Sequence, residues 1–321
     1  MSFAQDCKTE IAQLVLTTNS EMQVELEALL RLSSEIILRN LKFIISFESA
    51  NAYVARRFLE IVKKLYNAET TLLTHKVQKL NLGTHYNVTI DTSSDVIIKS
   101  LNLLGDSINH NTIENDDLLK KAYLRGAFLA RGSINDPKNG GYHLEIATTN
   151  QDESVFIQRL LVSYSLNAKI IKRRNDYVIY LKDIEEITDI LRIIGASKMV
   201  FEIENLVIKR DYKANIQRQM NAEIANQMKT LSAAKKQVKY IHTIEYNYPL
   251  DKLDPKILLV MKVRLENKDA SLNELIDILN NDYGEHITKS GLNHRFIKIK
   301  ELAEEIEENN KEELKTASLN D

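Results

Sequence analysis

Two stretches of the chain repeat one order of apolar and polar positions. From Val24 to Ala68 a helical stripe is followed by the alternation Phe43, Ile45, Phe47, then by a second helical stripe. From Ala122 to Ala168 the order recurs, with Tyr142, Leu144 and Ile146 as the alternating segment. Alternation with period two marks a strand that buries one face. Leu124, Gly126 and Ile134 stand 98 positions after Leu26, Ala28 and Ile36, and Asn167-Ala168 stand 100 after Asn67-Ala68. Small loop insertions account for that drift. Both copies continue alike. The first predicts strands near Thr70–Gln78 and Tyr86–Ile90, then a helix Ser93–Leu104 stopped by Gly105. The second predicts strands at Lys169–Arg173 and Tyr177–Leu181, then a helix Ile184–Ile194 stopped by Gly195. Glycine just past the last apolar helical position is a C-cap signal. Each copy therefore reads α-β-β-α-β-β-α, over about 20–105 and 118–208, joined by the Asn- and Asp-rich stretch Asp106–Asp117. A period of about 100 residues is too long for a solenoid. Residues 1–208 are expected to form a duplicated α+β domain, followed by an all-α region.

The pattern changes at Lys209. Ile216, Met220, Ile224 and Met228 recur every four residues, and Leu231 and Val238 extend that face, which predicts an amphipathic helix. Between Lys209 and Lys239, eight basic residues stand against Asp211 and Glu223, a local net charge of +6. Tyr248-Pro249 ends the segment, so 209–250 reads as a basic helical linker. It is either a charged connector that docks on one domain or a helix that orders on nucleic acid. In the second case Arg210, Lys213, Asn215, Arg218 and Asn221 would make secondary contacts.

Residues 251–308 predict three helices. The first is Pro255–Glu266. Ser271 and Glu274 form a capping box for the second, whose buried face is Leu272, Leu275, Ile276 and Leu279. Asn280–Glu285, with Gly284, is the turn, Ile287 plugs the core, and Thr288 caps a third helix from Lys289 onward. That helix puts Leu292, Phe296, Ile299, Leu302 and Ile306 on one stripe. Its other side carries Lys289, Ser290, Asn293, His294, Arg295, Lys298 and Lys300, which with the capping Thr288 are the candidate DNA-binding residues. A polar, basic third helix on a helical base is the helix-turn-helix design, in which that helix enters the DNA major groove. A three-helix bundle used for protein contacts has the same pattern. The remaining residues, 309–321, read as an acidic and polar tail.

Composition narrows the choices. The 321 residues carry a net charge of −2, so any nucleic-acid surface must be a local patch. Cys7 is the single cysteine, which excludes a disulfide framework and a cysteine metal site and suits a reducing cytoplasm. No apolar run is long enough for a membrane span, and Met1–Asp6 lacks the features of a secretory signal. No phosphate-binding glycine motif and no nucleophile triad can be assigned. Near His294 stands only His286, with no further ligand at metal spacing. No cofactor, metal or small-molecule substrate is expected.

The run Leu124-Arg125-Gly126-Ala127-Phe128-Leu129-Ala130-Arg131-Gly132-Ser133-Ile134 resembles the LAGLIDADG signature of homing endonucleases. The resemblance implies two signature helices packed together and two four-stranded sheets forming a saddle. It also implies an acid at each helix end, where such nucleases hold a divalent metal. Here those two positions hold Ser33 and Arg131. A guanidinium cannot ligate Mg²⁺ and repels it, so the expectation is a degenerate site with no catalytic residue. Lys172, Arg173 and Arg174 crowd one hairpin of the second repeat, either as a solvated face or as a relic phosphate-binding surface. The order of parts resembles the WhiA family. The resemblance is carried by Tyr123–Ala130, Tyr142–Ile146, Asn221–Asn226 and Lys289–Arg295, and it spans nearly the whole chain. It implies a non-enzymatic, nucleoid-associated regulator that binds double-stranded DNA. That regulator would act in bacterial cell division, chromosome segregation and, in some relatives, sporulation, with room for a second transcription or division protein as partner. The chain departs from the family at Arg131, where glycine is usual, and at Ala222-Glu223-Ile224, where Cys-Glu-Thr is usual; the loop Asn281–His286 also differs. A metal-dependent endonuclease and a protein-interaction scaffold are the alternatives.

Overall fold

The computed structural model describes residues 2–16, 18–76, 84–105 and 110–317. They divide into two compact units, Met1–Arg210 and Asp211–Asp321. The first unit begins with α1 (Phe3–Ala12) and α2 (Asn19–Ser33). The first repeat continues with β1 (Ser34–Arg39), β2 (Lys42–Ser49), α3 (Ala52–Tyr66), β3 (Thr70–Lys76), β4 (Thr84–Ile90) and α4 (Ser94–Ser100). After α5 (His110–Glu114) the second repeat runs through α6 (Asp117–Arg131), β5 (Gly132–Ile134), β6 (Leu144–Thr148), α7 (Gln151–Ser163), β7 (Lys169–Arg173), β8 (Asp176–Leu181) and α8 (Ile184–Ile194). The unit boundary falls inside α9 (Ser197–Asn247). The second unit adds α10 (Pro255–Glu266), α11 (Leu272–Asp282) and α12 (Lys289–Ala317).

The duplication holds strand by strand. Both sheets are antiparallel and four-stranded, in the orders β1-β2-β4-β3 and β5-β6-β8-β7. On the first sheet Ile45, Phe47, Val88 and Ile90 face the core, and Ser46, Glu48, His85 and Asn87 alternate onto the other face. Two local expectations need correction. Gly105 does not cap the helix after β4. That helix stops at Ser100, because Asn102 takes the left-handed conformation (φ 47°) and Leu103 N–H closes onto the Ile98 carbonyl. Gly195 does cap α8, at φ 97°. The connector also holds the short helix α5, and β3 is described only to Lys76, so Val77 and Gln78 lie outside the described residues.

Helices α2 and α6 pack at the centre of the first unit, and one small-residue contact sets their separation. A Cβ on Gly126 would lie 2.5 Å from the Glu25 carbonyl oxygen and 2.8 Å from Ala28 Cβ. Beside this contact Glu25 is buried and ion-paired with Arg57, which reaches it with Nε and, at 2.8 Å, with Nη2. Arg57 Nη1 also donates to the Leu14 carbonyl at 2.6 Å, so the buried guanidinium is satisfied from two sides.

A second buried acid is less well compensated. Tyr123 donates its hydroxyl to Glu153. Burial pushes the Glu153 carboxyl up to about 6, against the opposing pull of that hydrogen bond and of Arg31. The folded value lies above the ordinary carboxylate value of 4.5, so the native state binds the proton more tightly. This contribution to stability is therefore greatest below the ordinary value and is lost as pH rises through about 6. Glu153→Gln keeps an acceptor for Tyr123 and removes the charge. Denaturant melts should show a gain of about 1–2 kcal/mol at about pH 7 that vanishes at about pH 4. An equal gain at both pH values would refute the buried-charge account.

The second unit has its own core. Val260, Met261 and Val263 of α10, Leu275 and Leu279 of α11, and Leu292, Phe296 and Ile299 of α12 are buried with Ile287. Ile241 and Ile244 from the end of α9 join them, so that part of the linker belongs to this core. Ser271 and Glu274 form the expected capping box.

Candidate nucleic-acid interface

The C-terminal ends of α2 and α6 face one cleft of about 720 Å³, lined by Lys8, Ser33, Glu35, Glu48, His85 and Arg131 among others. A helix C-terminus presents carbonyl oxygens and the negative end of its dipole. The side chains beside the α6 end are cationic. Lys8 Nζ donates to the Ala130 carbonyl at 3.4 Å, and burial pushes its ammonium down to about 8. Arg131 reaches Asp176 Oδ2 at 3.0 Å. Ser33, at the α2 end, is a half-buried hydroxyl. Neither helix end presents the carboxylate that metal-dependent hydrolysis requires there. Glu35 is exposed on β1, and Asp136 caps the turn Pro137–Asn139.

The cationic candidates in this unit are partly committed to the fold. Arg173 lies 3.3 Å from Glu145, and the Lys172 ammonium sits 5.3 Å from the Tyr177 ring centroid. Arg174 turns the hairpin with φ 56° and is exposed. Arg210 is engaged within the first unit. Its guanidinium bonds Tyr142 Oη at 3.0 Å and the carbonyls of Pro137 and Lys138 at 2.5 and 3.1 Å. It fastens the start of α9 to its own unit and has few donors left for a phosphate.

Further along α9, Lys213, Asn215, Arg218 and Asn221 are all exposed. Arg218 bonds Asn215 Oδ1 at 2.5 Å, and Gln217 bonds Asn221 Oδ1 at 2.9 Å. Ile216, Met220, Ile224 and Met228 are exposed.

The second unit arranges a more orderly surface. Asn280 clamps Ile287, accepting its N–H at 2.8 Å and donating to its carbonyl at 3.2 Å. Gly284 supplies the left-handed step of the turn, at φ 67°. Thr288 Oγ1 then accepts the Gly291 N–H at 3.2 Å and caps α12. With Leu292, Phe296 and Ile299 inward, helical geometry puts Ser290, Asn293, His294 and Ile297 within an arc of about 100°. All four are exposed, and so are Lys289, Lys298 and Lys300, which flank them. Arg295 points the other way. Its Nη2 lies 2.8 Å from Glu285 Oε2, and its Nη1 donates to the Lys256 carbonyl at 3.4 Å. These contacts hold the turn against α10. Glu301 bounds the outward face one turn beyond Ile297, and Lys300 is 3.7 Å from Glu304.

Comparisons with known proteins match the chain along most of its length. Three family models match in succession: the WhiA N-terminal LAGLIDADG-like domain over residues 19–104, the WhiA LAGLIDADG-like domain over 120–213, and the WhiA C-terminal HTH domain over 216–303. The chain is 36% identical over 310 residues to a probable cell division protein WhiA of Staphylococcus saprophyticus, covering 95% of this chain and 98% of that one. The chain belongs to the WhiA family. A WhiA relative of Staphylococcus haemolyticus with the same name is 37% identical over 318 residues, covering 98% of this chain and 100% of its own. The crystal structure of full-length DUF199/WhiA from Thermotoga maritima aligns with a TM-score of 0.61 at 26% identity, covering 95% of this chain and 99% of that one. The N-terminal LAGLIDADG domain of DUF199/WhiA aligns with a TM-score of 0.51 at 23% identity, over 60% of this chain and 90% of its own. Within this WhiA chain, sequence reasoning missed Lys8, whose helix precedes the first repeat. It also missed Ile297, an exposed apolar residue at the centre of a polar face. The period of α12 could have found Ile297; nothing in the sequence signalled Lys8.

Proposed function

We propose that this WhiA-family chain is a non-catalytic, double-stranded-DNA-binding regulator that acts in cell division and chromosome segregation from the nucleoid. The observation that carries the reading is the outward face of α12. It combines an amide, hydroxyl and imidazole with flanking lysines at the capped start of a third helix, the part of a helix-turn-helix that meets base edges. Asn293 suits adenine, Ile297 suits a thymine methyl, and Lys289 and Lys298 suit guanine or phosphate. Lys172, Arg174, Lys213 and Arg218 are phosphate contacts in this reading, with no role in base choice. The names of the staphylococcal relatives support the link to division. The helix ends support a binding role without hydrolysis, because Lys8 and Arg131 at the α6 end and Ser33 at the α2 end stand where a metal would need carboxylates.

Selection of duplexes from a random pool, followed by incubation of the full chain with plasmid carrying the selected site and Mg²⁺ or Mn²⁺, tests both halves. The expected result is a consensus sequence and intact plasmid. Absence of any enriched sequence would overturn sequence-specific binding, and nicked or linear plasmid would overturn the non-catalytic role.

A further inference from the structure

The outer face of the first sheet carries a cluster that DNA recognition by α12 leaves unused. His75 on β3 pairs directly with His85 on β4, and Glu48 on β2 pairs with Asn87, two residues further along β4. Paired residues share a face, and so do residues two apart on one strand. The three side chains therefore emerge from one side of the sheet, opposite Phe47, Val88 and Ile90. Glu48 Oε1 lies 2.7 Å from His85 Nδ1 and 3.8 Å from His75 Nε2. One ligand atom from each residue lies within 4.8 Å of the others.

These spacings suit a single ion. Four-coordinate zinc with bonds of about 2.0 Å sets neighbouring donors about 3.3 Å apart, a value the two measured spacings bracket. Glu48 and His75 are exposed, so small rotations bring them to that distance. Two imidazoles and one carboxylate favour zinc and its late first-row neighbours over Mg²⁺ or Ca²⁺, which prefer oxygen ligands. Three protein ligands leave a fourth position for water or a phosphate oxygen. The second sheet shows the contrast. There, on the outer face, His143 and Glu145 stand 3.1 Å apart, and Arg173 reaches the same Glu145 at 3.3 Å. A guanidinium of the chain itself supplies the positive charge on that sheet, whereas the carboxylate on the first sheet is faced by two histidines.

We propose that Glu48, His75 and His85 bind one zinc-class divalent cation on the outer face of the first sheet. The site does not depend on the DNA-binding reading; Glu48 and His85 also line the cleft that the α2 and α6 helix ends face. Untagged full-length protein, stripped with chelator, should take up one equivalent of Zn²⁺ in calorimetric titration, and Co²⁺ should give the visible absorption of a tetrahedral site. His75→Ala combined with His85→Ala should weaken uptake by about tenfold or more, while His143→Ala should leave it unchanged. Binding by the double variant equal to that of the unaltered protein would overturn the proposal, and so would Zn²⁺ binding no tighter than Mg²⁺. If circular dichroism shows the double variant unfolded, diethyl pyrocarbonate labelling of the unaltered protein decides. Zn²⁺ should shield His75 and His85 but not His143; equal labelling with and without Zn²⁺ would refute the site.

Discussion

Gly126→Val is expected to destabilise the first unit by about 3 kcal/mol or more, a large part of the stability of an ordinary domain. Even the first carbon of the new side chain would lie 2.5 Å from the Glu25 carbonyl oxygen, a backbone atom inside α2 that cannot rotate aside. Helices α2 and α6 would have to separate. Glu25 would move with its helix, and its buried pairing with Arg57 would be strained as well. Gly126→Ala meets the same atoms and should cost about 1–3 kcal/mol. Thermal melts followed by circular dichroism check the order: unaltered protein above the alanine variant, alanine above valine. A valine variant melting with the unaltered protein would mean that the helices do not approach as closely as the structure shows.

Replacing Lys289, Asn293 and Lys298 together by alanine should weaken binding to a selected duplex by about 100-fold or more at physiological salt. A lost base contact costs about 1–3 kcal/mol, and each lost phosphate contact lowers the salt slope by about one. All three side chains are exposed, so the melting temperature should not change. Arg295→Ala should behave differently. It removes the ion pair with Glu285 and the bond to the Lys256 carbonyl, so it should lower the melting temperature as well as the affinity. Fluorescence anisotropy and thermal melts on both variants separate a recognition residue from one that positions the helix.

Much of the architecture was legible because it rests on local periodicity. Alternation at Phe43, Ile45 and Phe47, the capping box at Ser271 and Glu274, and the stop at Gly195 are short-range signals, and the structure follows each of them. The rest depends on contacts that helical periodicity does not reveal. Gly105 looked like a cap, but Asn102 adopts the left-handed conformation three residues earlier. Arg295 sits in a basic run, yet Glu285 and the Lys256 carbonyl draw it inward, and neither partner follows from helical spacing. Arg210 likewise looked like part of a basic stripe and is held by Tyr142 and the turn after β5. Arg131 marked the degenerate helix end, but its partner Asp176 lies across a hairpin 45 residues away. Charge in a sequence says which side chains could meet a phosphate; only the fold says which are already engaged.

The central claim is that base recognition resides on the outward face of α12, and Asn293→Ala tests it most directly because it changes no charge. The measurement is the ratio of affinities for a selected duplex and a scrambled one, taken across a salt series. The expected result is a ratio about tenfold lower, with binding to the scrambled duplex and the salt slope unchanged. An unchanged ratio, in a variant that melts with the unaltered protein, would contradict the claim and place recognition elsewhere in the chain.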